Sequence, residues 1–397
     1  MNGSTTATFG VVLPARDEED YILATLESLT TQQSLDGRPL DPDSYQIIVV
    51  ENASVDATAE RVETFARDCR VPVTLLHDEE ASMVSPRIRG MNHVILSAHP
   101  TDYLVSADAD TTFPPTWLAT VASTFTRGAD IVSSAGYMSS EIWELCPRLV
   151  ERYLEHLGPI FFDPDTVRRA DVEHGSYPFT EQVFIDFGRP VSDAGFAIST
   201  SCYLELGGFR QDYWDQAESM PLPAVGWPLM YRAELAAYEI AYMRTPYWST
   251  SPRRLVNEPE QLFSTSAYLG EIASFRETTT DQYAWLDRFA DRIDLRPLQD
   301  YCLKYYLLQR CITRPQLLRR NRRYFGRLGD DIARTIFEWH ARTPDPTPGL
   351  VLGFASDLSR EFGDRLLDQL PRAAPPRDVP ANDGSVRRPG RRESRLW

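Results

Sequence analysis

Four short apolar runs in the first third of the chain, Phe9–Leu13 (FGVVL), Gln46–Val50 (QIIVV), Val73–Leu76 (VTLL) and Tyr103–Val105 (YLV), leave little choice of fold. Each is rich in β-branched, aliphatic or aromatic residues and too short for a helix, so each reads as a strand buried on both faces. Helix-spaced stretches separate them. Ile22, Leu26 and Leu29 share one face of Tyr21–Leu29, and Asp56 stands as an N-cap before Ala57–Ala66. A third helix, Pro86–Ala98, precedes the fourth run, and Pro114-Pro115 opens another that reaches Phe125. Strands alternating with helices of this length imply an α/β fold with a doubly wound, mostly parallel, Rossmann-like sheet.

The stretch Ile131–Trp248 is mixed, with one helix expected over Ile142–Leu157, and should complete the sheet and supply loops over its edge. From about Val256 to Leu370 the pattern turns to long amphipathic stretches such as Leu298–Leu308 and Arg327–His340. A mainly α-helical C-terminal domain is expected there. Beyond Pro371 the chain is rich in Pro and Arg without hydrophobic period, which is the composition of a disordered tail. The expected division is therefore 1–250, 251–370 and 371–397.

A formal charge of −16 argues against a general nucleic-acid binder, which needs a positive surface to neutralise phosphates. No run approaches the roughly 18–20 apolar residues of a membrane helix, and Met1–Pro14 lacks the basic start of a secretion signal. A cytoplasmic protein without an integral membrane segment is expected. The five cysteines are scattered with no C-x-x-C pair, so they read as buried reduced thiols.

Three polar groups each follow a strand directly, where ligands bind in an open parallel sheet. They are Pro14-Ala15-Arg16-Asp17-Glu18-Glu19, Glu51-Asn52-Ala53-Ser54-Val55-Asp56 and Ser106-Ala107-Asp108-Ala109-Asp110-Thr111. So much negative charge would repel a diphosphate unless a cation intervened, and hard carboxylate oxygens suit Mg²⁺ or Mn²⁺. The same acids can accept hydrogen bonds from ribose hydroxyls and a base N–H. D-x-D occurs at Asp41/Asp43, Asp108/Asp110 and Asp163/Asp165, but only Asp108/Asp110 follows an apolar strand and precedes a helix. The metal ligands expected are Asp110 and Asp108. Arg16, Asn52, Ser54, Asp56 and Ala109 join the nucleotide-site candidates by their place in the three groups, although a helix N-cap is an equal reading of the first two groups taken singly.

In this order, FGVVLPARDEE, IIVVENASVDAT, SPRIRG (Ser85–Gly90), VSADADT and SCYLELGGF (Ser201–Phe209) resemble the family 2 glycosyltransferases of GT-A fold, over roughly Phe9–Arg244. The resemblance implies that Pro14, Ala15 and Glu18 line the nucleotide site. Glu51 takes the place of an Asp that contacts uridine or ribose. Arg87 matches a basic residue near the base and diphosphate, Asp108 and Asp110 match the family's D-x-D, and Gly207-Gly208 match the pair at the acceptor side. A metal-dependent transfer of a hexose from a nucleotide-diphosphate sugar follows, with UDP-glucose as first donor and inversion of the anomeric centre.

Inverting members usually carry an E-D pair about nine residues past G-G-F, whose aspartate is the general base. Here GGFRQDYWDQAESM puts Glu218 at the first position and Ser219 at the second, while the register through Leu229-x-x-Arg232 puts Val225 and Gly226 at the pair. The base candidates are Glu218, Asp215 and Asp193, in that order, because the role needs a carboxylate in reach of the attacking hydroxyl. Asp212, Asp215 and Glu218 would tolerate a cationic acceptor such as an amino sugar or aminocyclitol, and a small soluble acceptor suits a chain without a membrane segment. His174 is a lesser candidate for substrate or metal, and Trp214, Trp227 and Trp248 are either a sugar platform or core. A nucleotide-sugar-binding protein without transferase activity and a polysaccharide or cell-envelope glycosyltransferase stand as alternatives. A nucleotidyltransferase or dehydrogenase should carry a Gly-rich loop after the first strand, which LPARDEE lacks. The helical part could close over the acceptor, form a homodimer interface, or pack against the sheet.

Overall fold

The computed structural model describes residues 8–79, 82–97, 101–138, 145–161, 182–188, 191–214, 217–218, 220–222, 225–253 and 280–370. Eight strands form one sheet: β1 (Phe9–Ala15), β2 (Tyr45–Asn52), β3 (Val73–Asp78), β4 (Tyr103–Ala107), β5 (Thr111–Thr112), β6 (Ile131–Met138), β7 (Gly195–Ser199) and β8 (Ile240–Thr250). Their order is β3-β2-β1-β4-β7-β6-β8-β5. The pairs β1/β2, β2/β3, β1/β4 and β6/β8 are parallel, whereas β4/β7, β6/β7 and β5/β8 are antiparallel. The expected doubly wound α/β sheet is present. β3 departs from expectation: as the edge strand it is only half-buried through most of its length, because no strand or helix layer covers its outer side fully.

Residue alternation along β1 and β2 sorts the helices onto two faces. Phe9, Val11 and Leu13 of β1 and Ile47 and Val49 of β2 point to one core. That core also takes Ile22, Leu26 and Leu29 of α1 (Ile22–Thr30), Val62 of α2 (Thr58–Asp68), and Trp117, Leu118 and Val121 of α4 (Trp117–Phe125). Val12, Ile48 and Val50 point the other way, onto Met91 and Val94 of α3 (Ser85–Leu96). α3 lies so close to the sheet that a Cβ on Gly90 would come 2.3 Å from the Val12 side chain. Two helix starts differ from expectation by a residue or two. α2 begins after Ala57, with Asp56 still accepting the Thr58 amide at 2.9 Å, and α4 begins beyond Pro114-Pro115.

The second face continues without a break into the C-terminal helices. It carries α5 (Pro147–Phe161), α6 (Gln182–Phe187), α7 (Thr200–Glu205) and α8 (Gly226–Leu235). After residue 280 come α9 (Thr280–Phe289), α10 (Arg296–Cys302), a π-helical turn (Leu303–Leu308), α11 (Gln309–Thr313), α12 (Gln316–Arg320), α13 (Arg322–Phe325), α14 (Gly329–Arg342) and α15 (Pro348–Gln369). Val12 and Leu104 of the sheet share one hydrophobic cluster with Leu307, Ile312, Phe325, Leu358 and Phe362. The junction is also polar. Arg310 of α11 is buried, pairs with Glu234 of α8, and donates from Nε to the Phe187 carbonyl of α6 at 2.9 Å. The mainly helical C-terminal region thus packs directly on the sheet. All five cysteines are free and four of them are buried.

Candidate active site

The carboxyl ends of β2, β1 and β4, adjacent in the sheet, bring the three acidic groups to one rim. The loops after β1 and β2 are locked to each other. Ser54 Oγ accepts the Asp17 amide at 3.1 Å, Asp17 Oδ1 the Val55 amide at 2.8 Å, Asp56 Oδ2 the Glu19 amide at 3.0 Å, and Glu19 Oε2 the Ala57 amide at 3.0 Å. Asp17 and Ala53 hold left-handed backbone at φ 55° and 52°, a conformation that non-glycine residues keep only where surrounding bonds impose it. Ser54 and Asp56 thus tie the two loops of the rim together. Arg16 is exposed and faces Asp17.

Glu51 and Asn52, at the end of β2, are buried. Glu51 Oε1 accepts the Ser54 amide and Oε2 lies 3.0 Å from His77 Nδ1 at the end of β3. Burial pushes the Glu51 carboxyl up, but the Ser54 amide and His77 outweigh it and hold it below the usual range. Asn52 donates to the Ser82 carbonyl at 2.8 Å, leaving its buried Oδ1 without a partner. A buried unmet acceptor at a strand end is a group positioned to meet a ligand donor such as a base N–H.

Arg87 sits in the first turn of α3 and is buried. Its guanidinium donates to Asp108 Oδ1 at 2.5 Å and to the Met83 carbonyl at 3.1 Å. The D-x-D backbone is tied down by Thr25 Oγ1, which donates to the Ala109 carbonyl at 2.7 Å. Immediately afterwards Thr111 pairs with Thr250, so the end of β8 is laid beside Asp110. That pairing delivers Arg253, whose side chain is 1% exposed. Arg253 forks onto both oxygens of Glu18, stands 3.3 Å from Asp110 Oδ2, and lies 4.5 Å from the Tyr21 ring centroid. Burial pulls its pKa down, and the two carboxylates more than reverse this. The sequence reading missed Arg253. The available signal was its position just past the aromatic run Tyr247-Trp248, which is a strand end.

Other sequence candidates separate. Asp215, Ser219 and His174 lie outside the described residues. Glu218 is exposed at φ 55° and makes no bond to the rim among the described residues. Helix α8 starts at Gly226 and carries Leu229 and Arg232, so the structure follows the register that puts Val225 and Gly226 at its first turn. Arg232 donates to Asp212 Oδ2 at 3.0 Å and to the Gly208 carbonyl at 2.5 Å. Asp212 is thus buried in a pair and unavailable to a cationic acceptor, a correction to the expectation from charge alone. Gly207 and Gly208 turn at φ 75° and 63°, where a Cβ on Gly208 would meet the Tyr203 ring at 2.8 Å. Trp248 is core rather than platform, packed where Cβ atoms on Gly136 or Gly195 would stand. Asp193, two residues before β7, donates nothing itself but its carbonyl accepts Ser106 Oγ at 2.9 Å. Its Oδ1 is buried without a hydrogen-bond partner.

A mainly parallel sheet with acids and buried arginines gathered at its strand ends, joined to a helical region, is the architecture of the GT-A fold. Residues 10–179 match the family described as glycosyl transferase family 2. A comparison with curated proteins finds no match. Among solved structures, the chain is similar to the Pyrobaculum calidifontis mannosyltransferase PcManGT in complex with GDP-Man and Mn²⁺, at 14% identity and TM-score 0.43 over 91% of this chain and 88% of that one. It is similar to S. aureus TarS 1-349 in complex with UDP-GlcNAc, at 14% identity and TM-score 0.42 over 84% and 92%. It is also similar to glucosyl-3-phosphoglycerate synthase from Mycobacterium tuberculosis in complex with Mn²⁺, UDP-Glc and phosphoglyceric acid, at 16% identity and TM-score 0.37 over 77% and 80%. No helix among the described residues is long and apolar enough to cross a membrane.

Proposed function

We propose that this glycosyltransferase moves a hexose, glucose from UDP-glucose first, to a hydroxyl of a small soluble acceptor with inversion. The observation that carries the reading is the meeting of Glu51 and Asn52, Glu18, and the Asp108–Asp110 turn with Arg87 at three adjacent strand ends. Asn52 Oδ1 and the Glu51 wall suit a base and ribose, while Arg87 and Arg253 are the cations nearest the expected diphosphate.

Asp110 fits a hard divalent cation, Mg²⁺ or Mn²⁺. Its two oxygens are held only loosely, at 3.3 Å by Thr250 Oγ1 and 3.3 Å by Arg253 Nη2, and Asp108 stands beside it. Asp110 and Asp108 are the side chains that would hold such a cation. When bound, such a cation offsets negative charge on the leaving diphosphate. Arg87 orients Asp108, Arg253 holds Glu18 against the site wall, and the Ala109–Thr25 bond fixes the turn that carries both aspartates. Free cysteines support a reducing, cytoplasmic setting.

The testing experiment incubates the protein and Mn²⁺ with UDP-glucose, other UDP-hexoses and GDP-mannose and follows free nucleotide by chromatography, with Asp110→Ala as control. Metal-dependent release from one donor, lost in the variant, supports the reading. Binding and release from none of them would sink it.

A further inference from the structure

Inverting transfer needs a carboxylate that can take the acceptor's proton, and most acids at this rim are already engaged. Glu18 and Asp110 face Arg253, Asp108 holds Arg87, and Glu51 is bonded by Ser54 and His77. Asp17, Glu19 and Asp56 close the interlocked turns. Helix α8 contributes no acid from its own first turn.

The space at the start of α8 is filled from a different element. β7 runs antiparallel to β4 with Gly195 opposite Ala107, so the chain just before β7 passes the carboxyl end of β4 and reaches the rim at Asp193. Ser106 Oγ of β4 fixes that backbone through the Asp193 carbonyl. The carboxylate then enters the first turn of α8. A Cβ built on Gly226 would come 2.1 Å from Asp193 Oδ1, so any side chain at 226 would displace it. That oxygen is buried with no hydrogen-bond partner, and the indole Nε1 of Trp227, one residue on, is likewise a buried donor without one. An unmet acceptor held against Gly226, with an unmet donor on the next residue of α8, is matched to an incoming hydroxyl, which both donates and accepts.

We propose that Asp193 is the general base, its carboxylate standing in the place that Gly226 leaves open at the start of α8. The assignment rests on the nucleotide-sugar reading of the same cleft. As the acceptor oxygen bonds to the anomeric carbon, its proton passes to the Asp193 carboxylate. The bond from that carbon to the diphosphate oxygen breaks, and the nucleoside diphosphate leaves with the electron pair. Asp193 then returns the proton to solvent. Burial raises the Asp193 pKa, and the Arg87 charge and the Gly226 and Val225 amides oppose this without cancelling it, which gives a carboxylate with more proton affinity than an exposed one.

A purely structural Asp193 would act as a remote cap for α8, and asparagine would serve that role nearly as well. The test uses the full chain with water as acceptor and whichever of UDP-glucose, UDP-N-acetylglucosamine and GDP-mannose releases nucleotide fastest. Asp193→Asn is expected to lower release by about 100-fold or more while donor affinity by calorimetry stays within about twofold. Sodium formate should restore release in Asp193→Ala, and the double variant Asp193→Ala/Gly226→Asp should regain activity by supplying the acid from α8 itself. Asp193→Asn that keeps release within about threefold of the parent, with donor binding intact, overturns the base and leaves the donor site standing. Failure of all three donors to bind the parent protein overturns the donor site and the base with it.

Discussion

Replacing Arg253 by methionine isolates the interaction that joins the end of β8 to the loop after β1. The guanidinium is 1% exposed, Glu18 beneath it 9% and Asp110 12%, so its removal strands a buried carboxylate next to a second one. Breaking a buried ion pair from one side costs about 3–5 kcal/mol, because the surviving charge keeps its desolvation penalty without the partner's attraction. Loss of the contact with the Tyr21 face adds about 0.5–2 kcal/mol, and methionine recovers part of the packing of the stem. A net loss of about 4 kcal/mol is expected for Arg253→Met. Urea unfolding followed by circular dichroism reads it as a lower midpoint at unchanged slope. The double variant Arg253→Met/Glu18→Gln removes both charges, and a coupling of at least about 1 kcal/mol should make it less destabilised than the sum of the singles. A single-variant loss under about 1 kcal/mol, or strict additivity, would refute the view that Arg253 is held by Glu18.

Other outcomes follow from the same contacts. Gly136→Ala should destabilise by about 1–3 kcal/mol, because its Cβ would fall 2.0 Å from the Trp248 ring; Gly136→Ala in a Trp248→Leu background should lose less in the same unfolding assay. Glu51 has a lowered carboxyl pKa, so it contributes stability above its unfolded value that is lost as pH falls through the folded one; Glu51→Gln should flatten the acid limb of a stability profile below about pH 4.5. Arg87→Lys keeps the charge but not the fork that spans Asp108 and the Met83 carbonyl, so donor affinity should drop about tenfold in calorimetry. In Asp193 the raised pKa places an activity limb that rises with pH as the carboxylate forms, and Asp193→Asn should lose that limb from the rate profile.

The sheet was legible where burial on both faces makes a strand continuously apolar, as in Val11–Leu13 and Ile47–Val50. It was less so where the pattern mixes. β6 carries Ser133 and Ser134 fully buried, the latter satisfied by donating to the Gly195 carbonyl at 2.7 Å, a partner 61 residues away that no local pattern announces. β5 is two residues long and exists because β8 pairs with it. The acids of the rim were legible by position, since each follows a strand. Their partners were not: Arg253 reaches Glu18 across 235 residues, and Asp193 meets Gly226 only because β7 is antiparallel to β4. The segment after Gly208 read in two registers for a related reason. G-G-F turns by the αL glycines 207 and 208, Arg232 binds back to that turn, and the next helix starts at Gly226.

The most direct measurement is a calorimetric titration of the full chain with UDP-glucose, UDP-N-acetylglucosamine and GDP-mannose, each with and without Mn²⁺, in the parent protein and in Asp110→Ala. If the three strand ends form a nucleotide-sugar site, at least one donor binds one to one, binding weakens without Mn²⁺, and Asp110→Ala abolishes the metal-dependent part. Absence of binding by all three donors, or binding indifferent to Asp110, would contradict it.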